Sequence, residues 1–144
     1  MRPPFITGYH WVPERDAILQ EMERLAEIRH IPIVGPIVGH LLSQLALLVG
    51  ARQVLELGAG FGYSAYWLAK ALPADGRVIA IERSPENARL GQESLRRASL
   101  AHKVEFLVGD ALQVVQEMAG PFDLIFPTAP GRSRGESEAL LTAF

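Results

Sequence analysis

At 144 residues, with 49% hydrophobic side chains, the chain has the size and apolar content of one ordinary domain. Its 14 basic and 16 acidic residues leave a formal charge of -2 without a Lys/Arg run, so neither nucleic acid nor a membrane is expected as a partner. The lack of cysteine excludes disulfides and thiolate metal sites, and a start without a secretion-signal pattern, with charges or prolines breaking every long apolar stretch, makes a cytoplasmic location the expectation.

Between 14 and 30, Ile18, Met22, Leu25 and Ile28 recur at helical spacing among Glu and Arg residues, which predicts an amphipathic surface helix ended by Ile31-Pro32. A second helix is expected over 36–49, with Pro36 in its first turn and Gly50 just beyond its end. Its apolar set, Ile37, Val38, Leu41, Leu42, Leu45 and Leu48, is broad enough for packing on two sides. After Gly50, short apolar runs at 53–57, 77–82, 103–108 and 122–126 alternate with helical segments at 62–72, 85–98 and 111–119. That alternation describes successive βα units around a parallel sheet, an α/β fold. Ser84-Pro85 reads as an N-cap followed by proline at the first helical position, and Pro73-Ala74-Asp75-Gly76 as a turn. Past Phe126 a Pro/Gly/Ser/Arg-rich stretch without apolar period leads to a short helical fragment over 136–144. The chain thus divides into a helical extension (1–50), a βα half-domain (51–126) and an atypical tail (127–144).

Gly58, Gly60 and Gly62 sit where the first strand must reverse into a helix, and lack of Cβ lets the backbone turn sharply and approach a ligand. The helix that follows begins with unpaired N–H groups, a seat for a carboxylate, with the Ser64 hydroxyl one turn away to assist. The dinucleotide fingerprint needs its third glycine one position later, where Tyr63 stands, and a phosphate-binding loop needs a Gly-Lys-Ser/Thr ending that is missing. NAD, ATP and GTP are therefore disfavoured. Glu82 ends the second strand at the carboxyl edge of the sheet, where a carboxylate accepts two hydrogen bonds from a ribose diol; standing alone it would also read as a solvated strand end. Asp110 ends the third strand on the same edge, near the place of an adenine, and with Gln113 it also makes a capping-box pattern. His10, His30, His40 and His102 form no metal-ligand spacing. Tyr63, Tyr66 and Trp67 cluster on one helix and read as core rather than substrate-lining residues. Tyr9-His10-Trp11 suits the cover of an acceptor pocket or a partner subunit, without the sequence deciding between them.

Leu55-Glu56-Leu57-Gly58-Ala59-Gly60-Phe61-Gly62-Tyr63-Ser64, then Ile81-Glu82, Gly109-Asp110-Ala111 and Phe122-Asp123-Leu124-Ile125-Phe126, in this order and spacing, resemble the catechol and caffeoyl-CoA type of class I S-adenosylmethionine-dependent O-methyltransferases. The resemblance covers residues 36–126. It implies a Rossmann-like doubly wound parallel sheet, here an incomplete one of four strands ordered 3-2-1-4, behind an N-terminal helical pair. Glu56 and the backbone at Gly58, Gly60 and Gly62 would line the methionine and ribose side of S-adenosyl-L-methionine. Ser64 would hold its carboxylate, Glu82 its ribose hydroxyls, and Asp110 with Ala111 its adenine. The reaction implied is attack of a phenolic oxygen on the sulfonium methyl, with a divalent metal such as Mg²⁺ lowering the phenol's pKa. The acceptor would be a small catechol-like aromatic.

The family's metal-binding aspartate and catalytic lysine fall at Thr128 and Gly131, so both groups are missing. No metal ligand and no catalytic residue is therefore assigned. The change of composition at Pro127 suggests a truncated or frame-shifted product, to be checked by reading the DNA beyond codon 126 in the other frames. A fourth strand without neighbours would be an apolar edge inviting a homodimer, swapping or aggregation. The rival reading is a cofactor-binding fragment or pseudoenzyme without catalysis; a third is a metal-independent methyltransferase acting on another acceptor.

Overall fold

A computed structural model of the chain describes residues 12–128. Tyr9-His10-Trp11, Gly131 and the fragment expected over 136–144 lie outside the described residues. The first helix, α1 (Ala17–Arg29), begins later than residue 14 because the Asp16 carboxylate caps it, accepting the Leu19 N–H at 2.9 Å. It ends where His30 turns left-handed, with φ of 53°, and returns its N–H to the preceding turn. Its buried stripe is Leu19, Met22 and Ala26, flanked by Ile18 and Leu25, while Ile28 is 75% exposed. The expected stripe was offset because polar anchors fix the rotation. Asp16 and Glu23 stand on the same side as Leu19 and Ala26, and there accept hydrogen bonds from the Tyr66 and Tyr63 hydroxyls.

The second helix, α2 (Gly35–Leu48), lies against α3 (Tyr63–Ala71) through Gly39, Leu42, Ser43 and Ala46. The approach is close: a Cβ on Gly39 would stand 2.4 Å from the Trp67 ring, and the Ser43 hydroxyl donates to the Trp67 carbonyl at 2.8 Å. The expectation of packing on two sides does not hold among the described residues. Ile37, Leu41, Leu45 and Leu48 remain exposed on the far side.

Four strands, β1 (Gln53–Leu57), β2 (Arg77–Glu82), β3 (Val104–Val108) and β4 (Leu124–Pro127), form one parallel sheet in the order β3-β2-β1-β4, as the sequence predicts. β3 starts one residue late because Ala101–Lys103 is a 3₁₀ turn. β4 is shifted too. The Asp123 carboxylate accepts the Gln53 and Arg52 N–H groups at 2.8 and 2.7 Å, bonds that hold its carboxyl below the usual range and keep Asp123 outside the strand. Pairing then continues past Phe126, with Pro127 beside Leu57 and the Thr128 N–H donating to the Leu57 carbonyl at 2.8 Å. A proline is accommodated because β4 is an edge among the described strands.

Helix α4 (Pro85–Arg97) shares the α3 face of the sheet, capped by Ser84 as expected, whereas α5 (Ala111–Gln116) covers the opposite face and stops short of residue 119. The larger core lies under α1 to α4 and includes Phe61, Tyr66, Leu68, Leu95 and Phe106. The smaller one joins Leu55, Leu57 and Ile81 to Ala111 and Val115. Burial on both faces explains why the central strands are apolar almost throughout. The chain leaves β1 for β2 and returns from β3 to β4 on the other side of β1, so the sheet changes winding direction between β1 and β4, where α/β folds open a crevice at the carboxyl edge. No helix among the described residues is long and apolar enough to cross a membrane.

Candidate functional site

The turn after β1 is built on three left-handed glycines, with φ of 81° at Gly58, 57° at Gly60 and 86° at Gly62. The alternate spacing of the glycines is thus the spacing of the residues that must take positive φ. The turn is tied down from β2, where the Ile81 carbonyl accepts the Gly58 and Ala59 N–H groups, both at 2.9 Å. The Glu82 carboxylate accepts the Gly60 N–H at 2.7 Å and the Ser84 N–H at 2.9 Å. Glu82 is therefore a brace between two loops at the sheet edge rather than a loose strand end.

The turn borders a cavity of about 530 Å³, within the range of small-molecule sites. Gly58, Gly60, Ser64, Glu82, Asp110 and Ala111 meet on its wall, which brings together six of the eight residues singled out by sequence. The other two stand just behind. Gly62 caps α3 with its backbone, and Glu56 is completely buried beneath Ser64, its Oε1 hydrogen-bonded to Ser64 Oγ. No side chain caps α3, in contrast to α1, α4 and α5, which Asp16, Ser84 and Asp110 cap. Its first N–H groups are left for a ligand.

Asp110 accepts the Leu112 N–H at 3.0 Å and pairs with Arg83 at 2.6 Å, and the guanidinium holds its carboxyl below the usual range. Its capping role is present in the structure, and Asp110 and Ala111 both line the cavity. Sequence reasoning passed over three contributors. Ile31 and Pro32, read as a helix end, form a wall of the cavity together with Ile33 and Val34. Arg83 lies at its rim. Gly91 lets α4 approach the turn: a Cβ there would stand 2.6 Å from the Phe61 carbonyl oxygen. An isolated glycine within the charged α4 segment was the available signal.

Thr128, at the position of the family's metal aspartate, also lines the cavity, but its hydroxyl points inward to the Gly58 and Leu57 carbonyls at 2.7 and 3.0 Å. A divalent cation of the Mg²⁺ kind needs carboxylate or several oxygen ligands. No group of three His, Asp or Glu residues among the described residues is placed to hold one. Among the described residues, those lining the cavity do not fit the metal.

The O-methyltransferase family model matches residues 13–134. The chain belongs to the O-methyltransferase family. The match begins ahead of the motif-bearing run and extends beyond Phe126. Among relatives, the chain is similar to a catechol O-methyltransferase of Niastella koreensis, 43% identical over 118 residues, covering 78% of this chain and 53% of that protein. It is also similar to caffeoyl-CoA O-methyltransferase 1 of Nicotiana tabacum, 34% identical over 135 residues, covering 84% of this chain and 56% of that protein. Among solved structures it resembles the O-methyltransferase TomG of Streptomyces achromogenes in complex with SAM, with a TM-score of 0.83 and 33% identity over 96% of this chain and 63% of that one. The chain therefore spans about half the length of the relatives it matches.

Proposed function

We propose that this O-methyltransferase-family chain binds S-adenosylmethionine in the cavity at the carboxyl edge and serves O-methylation of a small catechol-like aromatic acceptor. The observation that carries the reading is the meeting of the uncapped α3 N-terminus, the left-handed glycine turn and Glu82 around one cavity. The amino-acid carboxylate would sit at the first turn of α3 with Ser64. The ribose diol would face Glu82, and the adenine would lie against the backbone at Asp110 and Ala111. The bound cofactor supplies an electrophilic methyl on sulfur, and the chain's own part is to hold it in line with the acceptor oxygen. TomG, the structural relative described with SAM, supports the choice of ligand.

Thr128 favours a second reading, cofactor binding without methyl transfer, because its hydroxyl is neutral and committed to backbone carbonyls. Calorimetry with S-adenosylhomocysteine, beside a methyl-transfer assay on catechol with Mg²⁺ or EDTA, separates the two. Binding with EDTA-sensitive turnover supports the first, binding without turnover the second, and turnover indifferent to EDTA a metal-independent reaction. Absence of binding to the folded chain contradicts all three. Glu82→Ala is expected to weaken binding by about 1–3 kcal/mol through loss of charge-assisted hydrogen bonds. An unchanged dissociation constant would leave Glu82 as a brace for the turn alone.

A further inference from the structure

Behind the cavity wall lies a buried acid that direct ligand contact does not account for. Glu56 is 0% exposed, its Oε1 is joined to Ser64 Oγ, and its Oε2 has no hydrogen-bond partner. Ser64 is itself buried yet reaches the cavity. The groups acting on Glu56 are the Ser64 hydroxyl on α3, the Thr128 hydroxyl after β4 and the Glu82 carboxylate ending β2; no cation is among them. Thr128 stands near enough to steady a charged form, but its one proton goes to the Gly58 and Leu57 carbonyls, so it supplies little. An ionised Glu56 would be a buried charge acted on by a like charge, that of Glu82.

We propose that Glu56 is a positioning residue for the cofactor's carboxylate: as a neutral acid it donates its proton to Ser64 Oγ and thereby turns the Ser64 O–H outward into the cavity. The proposal rests on the cofactor reading above and deepens it. A serine hydroxyl has one proton and two lone pairs. When Glu56 is ionised it can only accept, so the Ser64 O–H donates to it and serine lone pairs are left facing the cavity, where they repel a carboxylate. When Glu56 is neutral the bond reverses, Ser64 Oγ accepts, and the serine proton is free for an anion beside the α3 N-terminus. No proton leaves Glu56 when the ligand binds. The same bond thus switches between a donor and an acceptor face according to one buried proton.

Burial, with Glu82 adding to it, pushes the Glu56 carboxyl from 4.5 up to about 8. The neutral form therefore prevails at neutral pH and is lost as pH rises through about 8. In the unfolded chain the group ionises near 4.5, so the folded state holds an extra proton between that value and about 8. Stability without ligand accordingly falls as pH rises across that window.

The test is the pH profile of S-adenosylhomocysteine affinity, taken by calorimetry on the parent chain, Glu56→Gln and Ser64→Ala. The amide of Glu56→Gln can still donate to Ser64 but does not titrate. From about pH 6.5 to about pH 9.5, spanning the Glu56 transition, parent affinity should fall about tenfold further than that of Glu56→Gln. The ligand's own amino group titrates equally in both and cancels in the ratio. Ser64→Ala should bind more weakly and lose the same pH-dependent component, which keeps the test available if Glu56→Gln folds poorly. 5′-Methylthioadenosine, which lacks the amino acid, should show no such component with the parent chain. A parent-to-Glu56→Gln ratio that stays flat overturns the proposal while leaving cofactor binding intact. A ratio that rises with pH also overturns it, by making ionised Glu56 a direct partner of the ligand's ammonium. No binding at any pH by the folded chain overturns the cofactor reading together with the proposal.

Discussion

Gly62→Val is expected to destabilise the chain by about 2–5 kcal/mol and to abolish S-adenosylhomocysteine binding. Two costs add. At φ of 86° a β-branched residue is strained by about 1–2 kcal/mol. A Cβ would also lie 2.9 Å from Phe106 Cζ, and forcing atoms into a packed site costs about 1–3 kcal/mol. The same Phe106 Cζ also packs against Gly91, where a Cβ would approach it to 2.6 Å, so turn, ring and α4 are crowded at one point. Relief would have to come from the turn or from α4, and either movement displaces the first turn of α3. Gly60→Ala is the control, since φ there is 57° but no atom lies within 4 Å of a Cβ. It should lose only about 1 kcal/mol. Denaturant unfolding of both variants checks the order, and equal losses would place the whole effect in backbone strain.

Tyr66→Ala should cost about 3–5 kcal/mol, the range for deleting a large buried aromatic. The Tyr66 ring is 2% exposed and its hydroxyl donates to Asp16 Oδ2 at 2.8 Å. Asp16 also caps α1 and pairs with Lys70 at 3.1 Å, so the substitution removes core volume and unlatches the start of α1 together. The effect should reach the cavity, because the residues following α1, Ile31 to Val34, form part of its wall. Tyr66→Phe keeps the ring and should lose only about 1 kcal/mol. Denaturation midpoints, with amide exchange along α1, separate the packing from the latch. Full exchange protection of α1 in Tyr66→Ala would contradict the latch.

The sheet was legible because each strand carries its own local cause. Apart from Glu56, Val54 to Leu57 and Val78 to Ile81 are apolar runs ended by a glycine turn and by Glu82, and the strand bounds in the structure coincide with the expected ones. Boundaries set by distant partners were not legible. Asp123 looks like a strand residue within Phe122-Asp123-Leu124, yet its carboxylate serves the backbone of Arg52 and Gln53, more than sixty positions away in sequence, and so delays β4. Likewise the face of α1 is chosen by Tyr63 and Tyr66, which no periodicity within 14–30 records.

At the site, the glycines, Ser64 and Glu82 were legible because a strand-to-helix reversal at a sheet edge restricts which residues can stand there. The wall formed by Ile31 to Val34 was not, because it depends on how α1 and α2 dock on the sheet. Glu56 was legible as a site residue, but its depth was not. Side chains along β1 alternate between the two covered faces, and burial on both leaves no polar signature to show which of them reaches the cavity.

The proposed S-adenosylmethionine site is one cavity, formed by the glycine turn, the α3 N-terminus and the ends of β2 and β3. A residue-resolved titration of the nitrogen-15-labelled chain with S-adenosylhomocysteine tests it most directly. Saturable amide shifts are expected at Gly58, Gly60, Gly62, Ser64, Glu82 and Ala111, with little change at Leu45 and Leu48 on the exposed side of α2. Shifts confined to other surfaces, or none in a folded sample at ligand excess, would contradict it.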